Sequence, residues 1–313
     1  MRELLAIIGD DPRQFAVLHG LCMVYWNRAQ LVQMLDVCKD MLARAERQAE
    51  SLPKLVAHRV MAVALNPMGR FAEARAHAQK AVALHDPERH RDSARQFGHD
   101  MAVGAYWHLA IAQLFLGESR ASNEAAARAS ALARNSQNAN TMLYDFLYLS
   151  FTGVAKSDWV GTRETASTMI EQAVARNMAL WEVFGRHHLG CVLAATGEPE
   201  AALEEIRRGR QGADQLNNTV FRPMTLGLEA LALAGLRRYE DAIGCLEQAL
   251  RLVEETGERW WEPELHRYRG LIERQRNGSD AVCESSFRRA IEIARQQGSK
   301  LFEVRATTEL RHR

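Results

Sequence analysis

Apolar residues recur at helical spacing through almost the whole 313-residue chain, and no segment alternates in the way a strand does. Ala, Leu, Glu, Arg and Gln dominate, and all are good helix formers. Breakers interrupt the pattern at regular intervals: Gly69, Gly117, Ser157-Asp158, Gly197, Gly235 and Asn277-Gly278. Each is followed by an amphipathic stretch with a small or medium residue on its inner face. Aligned at one position, these stretches place Met41, Ala81, Ala129, Met169, Gly209, Ala249 and Ala290 in register. The spacings are 40, 48, 40, 40, 40 and 41. Self-similarity at such a period marks a stacked repeat array.

The unit is a helical hairpin. Its first helix carries an apolar–small pair before the turn, as in Leu21-Cys22, Leu109-Ala110, Leu149-Ser150 and Leu189-Gly190. Small residues then recur seven apart in the second helix, as at Ala74 and Ala81, or Ala202 and Gly209. Antiparallel helices nest where small side chains admit a neighbour's larger ones. One hairpin cannot bury both faces, so each unit needs the next. The pattern predicts an all-α solenoid of about seven hairpins, at 13–50, 52–85, 100–136, 138–176, 178–216, 219–256 and 260–298, in one repeat domain. A helix at 300–311 closes the C-terminal end. Residues 1–11 read as the tail of a helix without its partner, an end through which the chain could self-associate.

The 48-residue interval holds an insertion, DPERHRDSARQFGHD, over residues 86–100. Asp86 is a good helix cap, Pro87 suits a first helical position, Gly98 is a stop, and Asp100 caps the next helix. The segment is read as a short helix forming a corner (86–99), with Arg89, His90, Arg91 and His99 as candidate recognition residues at the array edge.

The stretches GRFAEARAHAQKAVAL (69–84), GEPEAALEEIRRG (197–209) and RRYEDAIGCLEQALRL (237–252) resemble tetratricopeptide (TPR) repeats. The usual TPR period is about 34 residues. A period near 40 implies helices about one turn longer. Four further stretches are similar to the C-terminal TPR region of bacterial adenylate/guanylate cyclase-like regulators. They are IIGDDPRQFAVLHGL (7–21), ALHDPERHRDSARQFGHDMAV (83–103), ETGERWWEPELHRYRG (255–270) and ESSFRRAIEIARQQGSKLFEVRATTEL (284–310). The resemblance implies a right-handed superhelix acting as a sensing or docking arm, with a protein or peptide partner such as a signalling ATPase, a cyclase or a transcription regulator. It does not carry over catalysis, because this sequence has no G-x-x-x-x-G-K-[ST] phosphate loop and no cyclase stretch.

Composition narrows the reading further. Forty Lys+Arg against 39 Asp+Glu leave a net charge of +1, which lacks the footprint of a dedicated nucleic-acid binder. Five widely spaced cysteines without a C-x-x-C read as reduced thiols in a cytoplasmic protein. No stretch approaches the roughly 20 apolar residues that span a bilayer. No esterase, zincin or dinucleotide motif occurs, and His187-His188, adjacent on a helix, diverge by about 100°. Neither catalysis, a cofactor nor a metal is expected.

The resemblance places first helices on the concave face. Positions two, five, nine and twelve of those helices then give His19, Met23, Trp26, Arg59, Asn66, Trp107, Tyr144, Leu147, Phe151, Phe184, His187, Tyr268 and Gln275 as groove-facing. Aromatic residues at a groove suit peptide or small-ligand contact. Trp107 and His187 are expected to contribute to partner binding. Of Trp260-Trp261, one ring is expected under the terminal cap and the other at the surface. The reading is a non-enzymatic interaction module. A small-effector sensor whose ligand tightens the superhelix, or a remnant of a larger regulator, are the alternatives.

Overall fold

The computed structural model describes residues 13–311, so the expectation for residues 1–11 lies outside the described residues. Sixteen helices and no strand occur among the described residues. They are α1 (Gln14–Asn27), α2 (Leu31–Ala45), α3 (Ser51–Leu65), α4 (Phe71–Ala83), α5 (Ser93–Phe97), α6 (Met101–Phe115), α7 (Ser119–Asn135) and α8 (Ala139–Lys156). The second half comprises α9 (Trp159–Ala175), α10 (Ala179–Ala195), α11 (Pro199–Gln215), α12 (Arg222–Gly235), α13 (Tyr239–Thr256), α14 (Glu262–Gln275), α15 (Asp280–Gln297) and α16 (Lys300–Arg311). Seven consecutive pairs pack as hairpins, from α1–α2 to α14–α15; α5 lies in the insertion and α16 packs on α15. All seven register residues, Met41 through Ala290, are buried at the seams.

Turn chemistry follows the breakers. Gly69, Gly117, Ser157, Gly197 and Asn277 all have positive φ, which lets the chain reverse after a first helix. In the sixth hairpin Arg237, not Gly235, takes that conformation, at φ 60°. Side-chain caps start the helices α6, α8 and α9. Asp158 accepts from the Gly161 N–H, and Asn138 from the Thr141 N–H. Asp100 accepts from the Ala102 N–H at 2.8 Å. Asp86 accepts from the Glu88 and Arg89 N–H groups, but the cap opens only turns; the insertion's helix is confined to Ser93–Phe97. Gly98 stops it at φ 87°.

The first helices α3, α6 and α12 are buried nearly all round. On α6 only Tyr106 escapes full burial. A helix apolar on every side must be enclosed on every side. Part of that enclosure comes from residues distant in sequence. The Asn27 carbonyl accepts from the Thr219 N–H at 2.7 Å, and the side chains of Asn27 and Asn218 pair 191 positions apart. The Pro67 carbonyl accepts from the Arg259 and Trp260 N–H groups at 2.7 and 2.9 Å. Arg305 donates to the Ala155 carbonyl at 2.5 Å. Successive turns of the solenoid therefore touch, about four to five periods apart, and the interior fills with rings. Phe151 stacks on Trp260 at 4.7 Å, and Phe221 stacks on the same tryptophan at 5.1 Å.

Trp260 and Trp261 are both 1% exposed, so neither ring lies at the surface. Trp260 sits in the interior stack, and Trp261 packs edge-on against Phe302 of α16, with centroids 5.3 Å apart. The reason is the coil of the solenoid, which brings Phe151 and Phe221 onto Trp260 and Phe302 of α16 onto Trp261.

Candidate functional site

A cavity remains on the inner face. It holds about 210 Å³ and lies between α1, α3, α8, α10 and the end of α5. Seven of the residues read as groove-facing meet there: Trp26, Arg59, Tyr144 and Phe184, with His19, Met23 and Leu147 beside them. They converge because each projects inward from the first helix of a different hairpin, or one turn away on the same helix.

Arg59 is the centre of the polar wall. Its side chain is fully buried, and Gly104 of α6 makes the room: a Cβ there would lie 2.7 Å from Arg59 Nε. Nη1 donates to His19 Nε2 at 3.0 Å. Nη2 donates to His99 Nε2 at 2.8 Å and to the Tyr144 hydroxyl at 2.7 Å. An Arg side chain always donates, so both ring nitrogens act as acceptors and both imidazoles are neutral. Burial, with the Arg59 charge second, pushes His19 down to about 3 and holds His99 well below the usual histidine range. His99 also stacks on Tyr144, with centroids 4.4 Å apart. The Tyr144 hydroxyl bonds His108 Nε2 at 3.1 Å, which extends the network to α6.

The apolar wall is aromatic. Trp26 meets Phe184 edge-on at 6.0 Å, and Phe184 meets Trp181 at 6.2 Å. Trp181 donates to Asn140 Oδ1 at 2.7 Å, and Asn140 Nδ2 donates to the Gly98 carbonyl at 2.8 Å. That chain fixes α10, α8 and the insertion relative to one another. The Trp26 indole N–H is buried and has no partner among the described residues.

Six of the candidates lie elsewhere. Trp107 is fully buried between hairpins, with its N–H on Asp145 Oδ1 at 2.8 Å. Asn66 is also fully buried and donates to the His108 carbonyl at 3.0 Å. Phe151 faces inward, but the chain's own Trp260 and Phe221 cover it. His187 is wedged in the α10–α11 seam against Gly209, where a Cβ would come within 2.5 Å of its ring; burial lowers its pKa to about 4. Tyr268 is buried against Gly227 of α12. Trp107 and His187 are thus packing residues, contrary to the expectation that they contact a partner. Gln275 is exposed at the last residue of α14.

The edge residues divide. Arg89 and Arg91 are exposed, and Arg89 pairs loosely with Asp86 at 3.6 Å. His90 is buried, bonded to Ser51 Oγ at 2.9 Å, because the turns of the insertion fold it back onto α3. His99 belongs to the cavity, not to an edge. Sequence reasoning missed Phe97, Asn140 and Trp181. Trp181 lies three residues before Phe184 and Asn140 four before Tyr144, so each shared a helix face with a residue already singled out.

Among the described residues no group of three or more metal-ligating side chains is assembled, and no helix is long and apolar enough to cross a membrane.

No family model matches the chain. An uncharacterized protein of Rhizobium meliloti (strain 1021) is 26% identical over 306 residues, which cover 92% of this chain. The match takes in 28% of that protein, so the chain spans little more than a quarter of the relative. Among solved structures, a Rap protein complexed with competence and sporulation factor superposes with a TM-score of 0.70 at 13% identity. It covers 90% of this chain and 74% of its own. The Rap conjugation gene regulator of plasmid pLS20, in complex with the Phr* peptide, gives 0.55 at 12% identity over 95% of both chains. Cut9–Hcn1 of an APC/C hetero-tetramer gives 0.55 at 12% identity, covering 97% of this chain and 56% of that one. At these identities the likeness is one of fold, and the fold is a TPR-like helical-repeat solenoid.

Proposed function

We propose that the chain is a non-enzymatic interaction module that takes the end of a peptide segment into its inner-face cavity. The observation that carries this reading is the cavity itself, where rings from three hairpins surround a buried guanidinium. Two of the similar solved structures hold a peptide or a signalling factor, which supports the same reading. The sequence resemblance to cyclase-associated TPR regions supports a setting in bacterial signalling or transcription control, with a signalling ATPase, a cyclase or a transcription regulator as the larger partner. A small-effector sensor is the second reading, favoured by the modest volume of about 210 Å³, since drug-sized pockets run from roughly 300 Å³ upward.

The test fills the cavity from its rim. Met23 and Leu180 line it and are only partly buried, so Met23→Trp and Leu180→Trp block it without emptying the core. A peptide or protein held by the wild type and lost by both variants, at unchanged melting temperature, supports the module. Capture retained by both variants moves the site to another surface.

A further inference from the structure

Two of the five cysteines meet. Cys22 of α1 and Cys38 of α2 are both fully buried, and their sulfurs lie 3.6 Å apart across the seam of the first hairpin. Cys38 Sγ also donates to the Val60 carbonyl at 3.5 Å. No other two cysteines touch among the described residues. Packing by itself does not require sulfur at this seam. In the register of the hairpins Cys22 and Cys38 correspond to Ala62 and Ala78 in the second unit, and to Ala110 and Ala126 in the third, each pair 16 positions apart. In the fifth unit they correspond to Gly190 and Ile206. A Cβ on Gly190 would stand 2.6 Å from that isoleucine, so the two positions face each other there too. Several apolar pairs thus fill the same space, and only the first hairpin places a thiol on both sides. A disulfide holds its sulfurs at about 2.05 Å, an approach of about 1.5 Å from where they stand, which side-chain rotation between touching helices supplies.

We propose that Cys22 and Cys38 are a redox pair, which a hydroperoxide converts into a disulfide that staples α1 to α2. One thiolate attacks a peroxide oxygen and the O–O bond breaks. That sulfur becomes a sulfenic acid, and the departing oxygen takes up a proton to leave as an alcohol, or as water when the oxidant is hydrogen peroxide. The second sulfur then attacks the first, the S–O bond breaks, and hydroxide leaves with the second thiol's proton as water. Two electrons pass from the pair of sulfurs to the peroxide. Neither thiol reaches solvent, and the hydrogen bond with Cys22, together with burial, pushes the Cys38 thiol well above its usual range. The pair therefore reacts when the hairpin opens, and reacts slowly. Reclosure then shuts the disulfide away from reducing thiols. The staple bears on the cavity, because α1 also carries His19, Met23 and Trp26 of its wall.

The experiment treats the full chain, folded in buffer, with excess hydrogen peroxide over hours. Free thiols are then alkylated in denaturant and counted by mass spectrometry. The wild type is expected to fall from five free thiols to three, and trypsin to release residues 14–28 joined to residues 29–39 by one disulfide. Cys22→Ala and Cys38→Ala, folded by melting temperature as the alanines of the second and third hairpins lead one to expect, are expected to form no disulfide within the chain. Amide exchange along α1 is expected to slow at least about tenfold in the oxidised wild type, since opening of the hairpin is what the staple prevents. All five thiols retained, or oxidation confined to partly buried Cys245, overturns the proposal. So does a Cys22–Cys38 disulfide that forms only in denaturant strong enough to unfold the whole chain. A disulfide that forms in the folded chain but leaves exchange along α1 unchanged overturns the staple.

Discussion

Two tryptophans on first helices use the same donor for different ends. Trp107 gives its N–H to buried Asp145, and Trp181 gives its own to Asn140 at the cavity rim. Asp145 is held above the usual carboxylate range by burial, and the bonds from Ser130 and Trp107 oppose that rise. Trp107→Phe keeps most of the volume and removes one of those bonds. It is expected to lower stability by about 1–3 kcal/mol in urea unfolding while leaving cavity ligands bound as before. Trp107→Ala adds a cavity and is expected to cost about 3–5 kcal/mol. Site assignment at this scale was only partly legible, because one residue along a helix turns the side chain by about 100°. His108 faces Tyr144 while Trp107, one residue earlier, reaches Asp145. Periodicity locates the buried faces of such a helix, but when every face is buried it does not say which neighbour each face meets.

The small residues of each hairpin are where helices approach. A Cβ on Gly190 would sit 2.6 Å from Ile206, and one on Gly270 would sit 2.5 Å from the Phe287 ring. Gly190→Ala and Gly270→Ala are each expected to destabilise by about 1–3 kcal/mol through overpacking. Gly244 is the internal control. It lies on α13, exposed, with nothing within 4 Å of where a Cβ would stand and no positive φ. Gly244→Ala is expected to stabilise by about 0.5–1 kcal/mol, from helix propensity alone. The opposite signs in one thermal-melt series check that close packing, not a general intolerance of alanine, holds the hairpins. The apolar–small pair at Leu189-Gly190 was legible in the sequence because the close approach it serves is local to one hairpin.

A buried carboxylate sits beside the contact between turns that Trp260 makes with Pro67. Glu258 is fully buried and accepts from the Phe221 N–H at 3.1 Å and the Trp260 indole N–H at 2.9 Å. Burial pushes its pKa up to about 7, against the opposing pull of those two donors. The folded chain therefore holds a proton that the unfolded chain has released between about pH 4.5 and 7. Stability from this group is full below that window, falls as pH rises through it, and is level above it, a change on the order of 3 kcal/mol. Buried neutral histidines such as His19 and His187 add stability as pH rises through the same range, so the Glu258 contribution is read as a difference: relative to Glu258→Gln, the wild type is expected to lose about 2–3 kcal/mol of stability between about pH 5 and pH 8 in denaturant unfolding. A difference between wild type and Glu258→Gln that does not change across the window shows that the carboxylate stays ionised there.

The sequence by itself determined the repeat. Its breakers, its register of small residues and the capping role of Asp100 are local signals, acting within one hairpin or between neighbours, and the chain spells them out at intervals near 40 residues. Helical phase, joined to the concave placement of first helices that the TPR resemblance implies, also put Trp26, Arg59, Tyr144 and Phe184 among the groove-facing candidates. Tertiary structure alone decided how much of the inner face stays open. Contacts between turns of the solenoid, such as that of Pro67 with Trp260, close the groove over Phe151 and leave the cavity at Arg59. That outcome depends on superhelical pitch, a sum of small inter-hairpin rotations that no single stretch of sequence encodes.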